Sequence, residues 1–101
     1  MLKFAANLSF MYQEYPLLQR FAAAKADGFA GVEYFFPYQE NLNAIATELQ
    51  RLALPLVLFN SYPGDFSKGE RGIGCLPDRS GEFLARMQEA YAVAAQLNCP
   101  R

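Results

Sequence analysis

The 101-residue chain contains no histidine. That absence removes the commonest general base and metal ligand, so acid–base chemistry here would fall to Glu, Asp, Lys or Tyr. Cysteine is scarce. Cys75 and Cys99 have neither the CxxC spacing of a redox or zinc site nor the density of a disulfide scaffold, and both are expected as buried or half-buried free thiols. Charge of one sign is lacking too. Nine basic against ten acidic residues give a net charge of −1, which excludes the basic surface that a nucleic-acid partner needs. No run of about 18 apolar residues exists to span a membrane. The apolar start, Met1 to Tyr12, is interrupted by Asn7 and Ser9 and lacks a small-residue cleavage site. The expectation is a soluble cytoplasmic protein with no membrane partner.

What is present is a 52% apolar chain, enough for one small domain with a core but far short of the roughly 250 residues of a whole (β/α)8 barrel. Apolar runs near residues 3–9, 29–36 and 54–60 read as strands, with Pro55 at the start of the third, where no ladder donor is needed. Between them lie helical patterns. Pro16 suits a first helical turn, Leu17, Phe21 and Ala24 repeat at helical spacing with Leu18 and Ala22 beside them, and Gly28 suits a left-handed C-terminal position. Asn41 is an N-cap candidate ahead of Leu42, Ile45, Ala46, Leu49 and Leu52. A glycine-rich loop runs from Ser61 to about Arg79. Ser80 is a candidate cap for a last helix with Phe83, Met87, Ala90, Tyr91, Ala94 and Leu97 on one face, ended by Pro100.

The order β-α-β-α-β-loop-α implies βαβ units and a parallel sheet, hence an α/β fold. Three parallel strands alone would leave open edges. Residues 1–101 are therefore expected to be the N-terminal part of a single domain, truncated before its fourth strand.

In such sheets ligands gather at the carboxyl ends of the strands. Those ends hold Asn7 and Ser9, Glu33, and Asn60. Glu33 lies in the apolar stretch Gly31–Phe36, where a carboxylate is costly unless partnered. It is either aimed at a site or paired with a rim Arg or Lys. Asn7 and Asn60 are either ligand-binding amides or turn-formers. The loop from Pro63 to Gly74 is long for a βα connection. In it Arg71 could grip a carboxylate with two prongs, and Glu70 could hold Arg71 or a substrate hydroxyl. GxGxxG and GxxxxGK[ST] are absent, which argues against a phosphate loop.

Phe4-Ala5-Ala6-Asn7-Leu8-Ser9, Gly31-Val32-Glu33-Tyr34, Phe36-Pro37-Tyr38, Leu58-Phe59-Asn60, Pro63-Gly64-Asp65 and above all Gly69-Glu70-Arg71-Gly72-Ile73 with Leu76-Pro77 and Arg79 resemble the start of the hydroxypyruvate isomerase family and its relatives acting on 2-oxo-tetronates. The resemblance runs through essentially the whole chain, in order. It departs at Asp78, where the family commonly has glycine. It implies a partial (β/α)8 TIM barrel of the xylose isomerase-like kind, its first three βα units. The implied parent enzyme is an intramolecular oxidoreductase of aldose–ketose type, interconverting hydroxypyruvate and tartronate semialdehyde, or a related 2-oxo sugar acid, through an enediolate. It implies a divalent metal, Mg or Mn, held together with the catalytic glutamates by residues outside this segment. No catalytic or metal-binding residue is then expected here, and the segment alone should be inactive. Asn7, Asn60, Glu70 and Arg71 would form the substrate side of the site, with a 2-oxo acid as partner and a homo-oligomer possible. The alternative is a non-catalytic partial-barrel module that self-associates or binds a small carboxylate.

Overall fold

The computed structural model describes residues 1–101 as three βα units in sequence: β1 (Ala5–Asn7), α1 (Leu17–Ala26), β2 (Gly31–Tyr34), α2 (Leu42–Leu52), β3 (Leu56–Phe59) and α3 (Ser80–Leu97). The strands form one parallel sheet in the order β1-β2-β3. They are shorter than the apolar runs that foretold them, but ladder bonding continues past their ends. The Ala30 amide donates to the Phe4 carbonyl at 2.9 Å, Leu8 to Glu33 at 2.9 Å, and Asn60 to Phe35 at 2.8 Å. An irregularity in register sits at Val32/Glu33 against β3. Gly31 permits it, since a Cβ there would lie 2.8 Å from Val57 Cγ1.

One face of the sheet makes the core. Ala6, Leu8, Val32, Leu56 and Phe59 pack with Phe21 and Ala24 of α1, Ile45 and Leu49 of α2, and Ala90, Val93 and Leu97 of α3. Burying the valine, leucine, isoleucine and phenylalanine side chains among these contributes about 1.5–3 kcal/mol each. The other face is open. Along it Ala5 and Leu58 are exposed and Asn7 and Glu33 half-buried.

The caps follow the chemistry of the sequence at α1 and α2 but not at α3. The Asn41 side chain accepts from the Ala44 amide at 3.1 Å, and Gly28 takes φ +91° just past α1. Ser80 is already helical and makes no side-chain cap bond, because the 3-10 helix Pro77–Arg79 leads directly into α3. Two expected face residues turn outward. Leu18 is 42% and Tyr91 68% exposed, while Val93 is buried. The real stripe of α3 thus runs through Ala90, Val93 and Leu97, a narrower spacing than a face drawn to include Tyr91. Cys99 is buried, but Cys75 is exposed, because it lies in a loop that buries only Gly64 and Ile73 between residues 61 and 79.

The last residues return to the sheet. The Phe59 amide donates to the Arg101 carbonyl at 3.3 Å, so residue 101 lies along the outer edge of β3. No helix is long and apolar enough to cross a membrane.

Candidate active site

The parallel strands bring Asn7 and Glu33 into direct register. On the open face near the carboxyl ends, the Asn7 side-chain NH2 donates to the Glu33 carboxylate at 2.8 Å. The Asn7 side-chain oxygen accepts from the Ser9 amide at 2.9 Å, which fixes the orientation of the amide. Glu33 is therefore satisfied by a neutral amide, not by the rim cation expected as its structural partner. No ion pair involves it. An amide on the adjacent strand suffices because the carboxylate is only half-buried and keeps part of its hydration. Ser9 adds a second tie between neighbouring βα turns, its hydroxyl accepting from the Phe35 amide at 2.9 Å.

Asn60 follows β3 and is exposed. Its backbone is held by the Phe35 carbonyl and by the Tyr38 hydroxyl, which donates to the Asn60 carbonyl at 2.5 Å. Burial, and then the nearby Glu89 charge, push the Tyr38 phenol up to about 12, so it remains a donor at neutral pH. The Asn60 side-chain amide makes no hydrogen bond within the chain.

The loop after β3 is tied to itself. The Gly72 amide donates to the Pro63 carbonyl at 2.7 Å and the Glu70 amide to the Asp65 carbonyl at 3.1 Å. The Glu70 carboxylate accepts from the Asp65 amide at 2.5 Å and pairs with Arg79, which also pairs with Glu82 at 2.8 Å. Arg79 first, and the Asp65 amide second, hold the Glu70 carboxyl below its usual range. Glu70 thus holds Arg79, not Arg71. Sequence reasoning had no signal for this pairing across nine residues of irregular chain. Gly64 makes room for it, since a Cβ at that position would meet Glu70 Oε1 at 2.6 Å.

Arg71 is exposed and fixed in plane. Its guanidinium lies 3.7 Å from the centroid of the Phe66 ring, and Nη1 donates to the Phe66 carbonyl at 3.1 Å and to the Glu70 carbonyl at 2.9 Å. Nε and Nη2 have no partner. That open edge is the fork that binds carboxylates bidentately. Phe66 ends a run of aromatic rings through Phe36, Phe35 and Phe10, with centroids 5.0–5.5 Å apart, which crosses all three βα loops.

The four expected site residues do not share an enclosed cavity. A cavity of about 530 Å³ lies beside them between Tyr38, Tyr62, Phe66 and the α3 residues Arg86 and Glu89. An open sheet face has no far wall, so the Asn7–Glu33 pair borders solvent. Nowhere do three or more His, Cys, Asp or Glu side chains converge to hold a metal ion. The residues present do not by themselves fit a metal centre.

No protein-family model matches the chain. It is 44% identical over 99 residues to a 2-oxo-tetronate isomerase of Cupriavidus necator, covering 98% of this chain and 38% of that protein. It is 45% identical over 97 residues to a hydroxypyruvate isomerase of Escherichia coli, again covering 38% of the relative. A crystal structure described as AP endonuclease, family 2, from Brucella melitensis superposes with a TM-score of 0.94 at 45% identity, over 98% of this chain and 38% of that one. The chain thus spans little more than a third of the length of the relatives it matches. Its three parallel strands with their helices correspond to part of the barrel of that neighbour.

Proposed function

We propose that this chain, a homologue of part of the hydroxypyruvate and 2-oxo-tetronate isomerases, supplies the substrate side of an isomerase of small 2-oxo acids. In this reading the parent enzyme, an intramolecular oxidoreductase, interconverts hydroxypyruvate and tartronate semialdehyde, or a related 2-oxo sugar acid, by proton transfer through an enediolate. The observation that carries the reading is the open Nε–Nη2 edge of Arg71, held flat on Phe66 at the carboxyl end of the sheet. It suits the carboxylate of such a substrate. Asn7 and Asn60, on the same end of the sheet, would hydrogen-bond its carbonyl and hydroxyl groups. With nine basic against ten acidic residues, the ligand proposed is a small acid and not a nucleic acid.

A divalent metal, Mg or Mn, is proposed for the parent enzyme, with its ligands and the catalytic carboxylates in residues beyond these 101. The Arg101 carbonyl beside β3 supports a fourth strand starting there, and so a domain to which residues 1–101 contribute the first part. The isolated chain is accordingly expected to turn over no hydroxypyruvate with Mg²⁺ or Mn²⁺ present. The test is a chimera in which this chain replaces the matching part of the Cupriavidus necator isomerase. Turnover that depends on Arg71, lost by at least about 100-fold in Arg71→Ala as for an interaction made with the reacting substrate, supports the reading. An active chimera indifferent to Arg71→Ala sinks it.

A second reading, a module that self-associates, is favoured by the apolar groups left on the surface. Phe4 is 64% and Phe10 65% exposed, and Leu58 on β3 is also exposed. Open strand edges and such patches drive association. Sedimentation or size-exclusion mass at several concentrations decides it. A concentration-dependent dimer supports this reading, and a monomer throughout removes it.

A further inference from the structure

We infer that Glu70 and Arg79 are positioning residues that present Arg71 to the ligand, and that Glu70 itself makes no contact with the substrate. The inference rests on the carboxylate-binding role proposed for Arg71. It follows from how the donors and acceptors of the loop are spent. One oxygen of the Glu70 carboxylate takes the Asp65 amide and the other takes Arg79. Each prong of Glu70 thereby already holds one donor inside the loop. Arg79 is committed as well, with Nε and Nη2 on Glu82 and Nη1 on Glu70. Of the loop's two guanidinium groups, only that of Arg71 retains an unused donor edge.

The clamp acts on Arg71 through the backbone. Asp65, whose amide Glu70 grips, directly precedes the 3-10 helix Phe66–Lys68 and caps it through its own side chain, which accepts from the Lys68 amide at 3.3 Å. That short helix carries the Phe66 ring on which Arg71 lies and the Phe66 carbonyl to which Nη1 donates. Glu70 contributes the second carbonyl that receives Nη1. Releasing the Glu70 carboxylate frees both supports of the guanidinium at once. An unsupported exposed Arg has several rotatable bonds to order on binding. The clamp removes that entropic loss in advance. Gly64, with φ +92° and Glu70 packed where its Cβ would stand, is part of the same device.

The experiment compares the 101-residue chain with Glu70→Ala, Arg79→Lys, Phe66→Leu, Arg71→Ala and the double variant Glu70→Ala/Arg71→Ala. Three quantities are read: hydrogen exchange of the Asp65 amide, the NMR position of the Arg71 Nε–H, which carries the ring current of Phe66, and calorimetric affinity for hydroxypyruvate. Glu70→Ala should speed Asp65 exchange by about tenfold or more, as loss of its acceptor requires. It should move the Arg71 signal to its position in Phe66→Leu, and weaken hydroxypyruvate binding with no further loss in the double variant. Arg79→Lys should fall between wild type and Glu70→Ala, since a lysine keeps the charge but not the fork. An Arg71 signal unmoved by Glu70→Ala overturns the inference, and so do additive losses of affinity in the double variant, which would mean direct contact of Glu70 with the ligand. If Arg71→Ala leaves hydroxypyruvate binding unchanged, the substrate reading of Arg71 fails instead, and the Nε–H signal still judges the clamp.

Discussion

The helix-covered core and the loop from residue 61 to residue 79 are held by different forces. The core is apolar burial throughout: its cluster joins all three strands and all three helices and includes no charged residue. The loop buries Gly64 and one large side chain, Ile73 at 1% exposure. Beyond that and the contacts of the Phe66 ring with Phe36 and Arg71, its ties are polar: the Glu70 carboxylate, Arg79, the Asp65 cap and the Gly72–Pro63 backbone bond. Hydrophobic burial is non-directional and indifferent to protonation. A carboxylate clamp is directional and depends on pH. The core therefore fixes where the strand ends sit, and the loop decides how the Arg71 guanidinium is held beside them.

The largest effect that would sharpen this contrast is in the core. Phe21 is among the largest fully buried side chains and packs where α1 meets the sheet. Phe21→Ala should lower unfolding free energy by about 3–5 kcal/mol, the range for emptying such a site. Denaturant melts of the two proteins check it, with an unchanged slope marking a loss of stability and not a change in compactness. A much smaller loss would mean that apolar burial beneath α1 is not what chiefly holds the fold.

The contrast also explains what could be read from the sequence. The core was legible because apolar spacing repeats. The runs around Ala6, Val32 and Leu56 foretold the strand–helix order, the periodic Ile45 and Leu49 foretold the buried face of α2, and Asn41 foretold its own cap. Errors fell where the repeat admits two answers. Leu18 and Tyr91 flank buried positions at a spacing that a helix can place inside or outside. Ser80 has the chemistry of a cap, yet the preceding 3-10 turn draws it into the helix. In the loop no period exists. The Gly69-Glu70-Arg71-Gly72 stretch could be singled out, but the partner of Glu70 could not, because Arg79 reaches it through three-dimensional folding of irregular chain. The Asn7–Glu33 pair sits between these cases. The strand ends were visible, while the register that joins them was not.

The smaller effect tests the loop by acid. The folded structure lowers the pKa of Glu70, chiefly through Arg79 and then through the Asp65 amide. A carboxyl with a depressed folded-state pKa contributes stability that is complete above its ordinary value of 4.5 and is lost as pH falls through the lowered one. Asp65 shifts in the same direction, mainly through the Ser67 hydroxyl, so the two carboxyls loosen the same turn together. Protonating Glu70 leaves the Asp65 amide with a weaker acceptor and Arg79 with Glu82 alone. The prediction is therefore local. Between pH 6 and pH 3, after correction for the intrinsic pH dependence of exchange, protection of the Asp65 amide should fall. The amides of Leu8 and Val32, bonded into the sheet through the Glu33 and Pro55 carbonyls, should keep theirs. Equal loss at all three sites would mean that the loop and the core unfold as one unit. The polar clamp would then be no separate element, and acid would be acting on the whole fold.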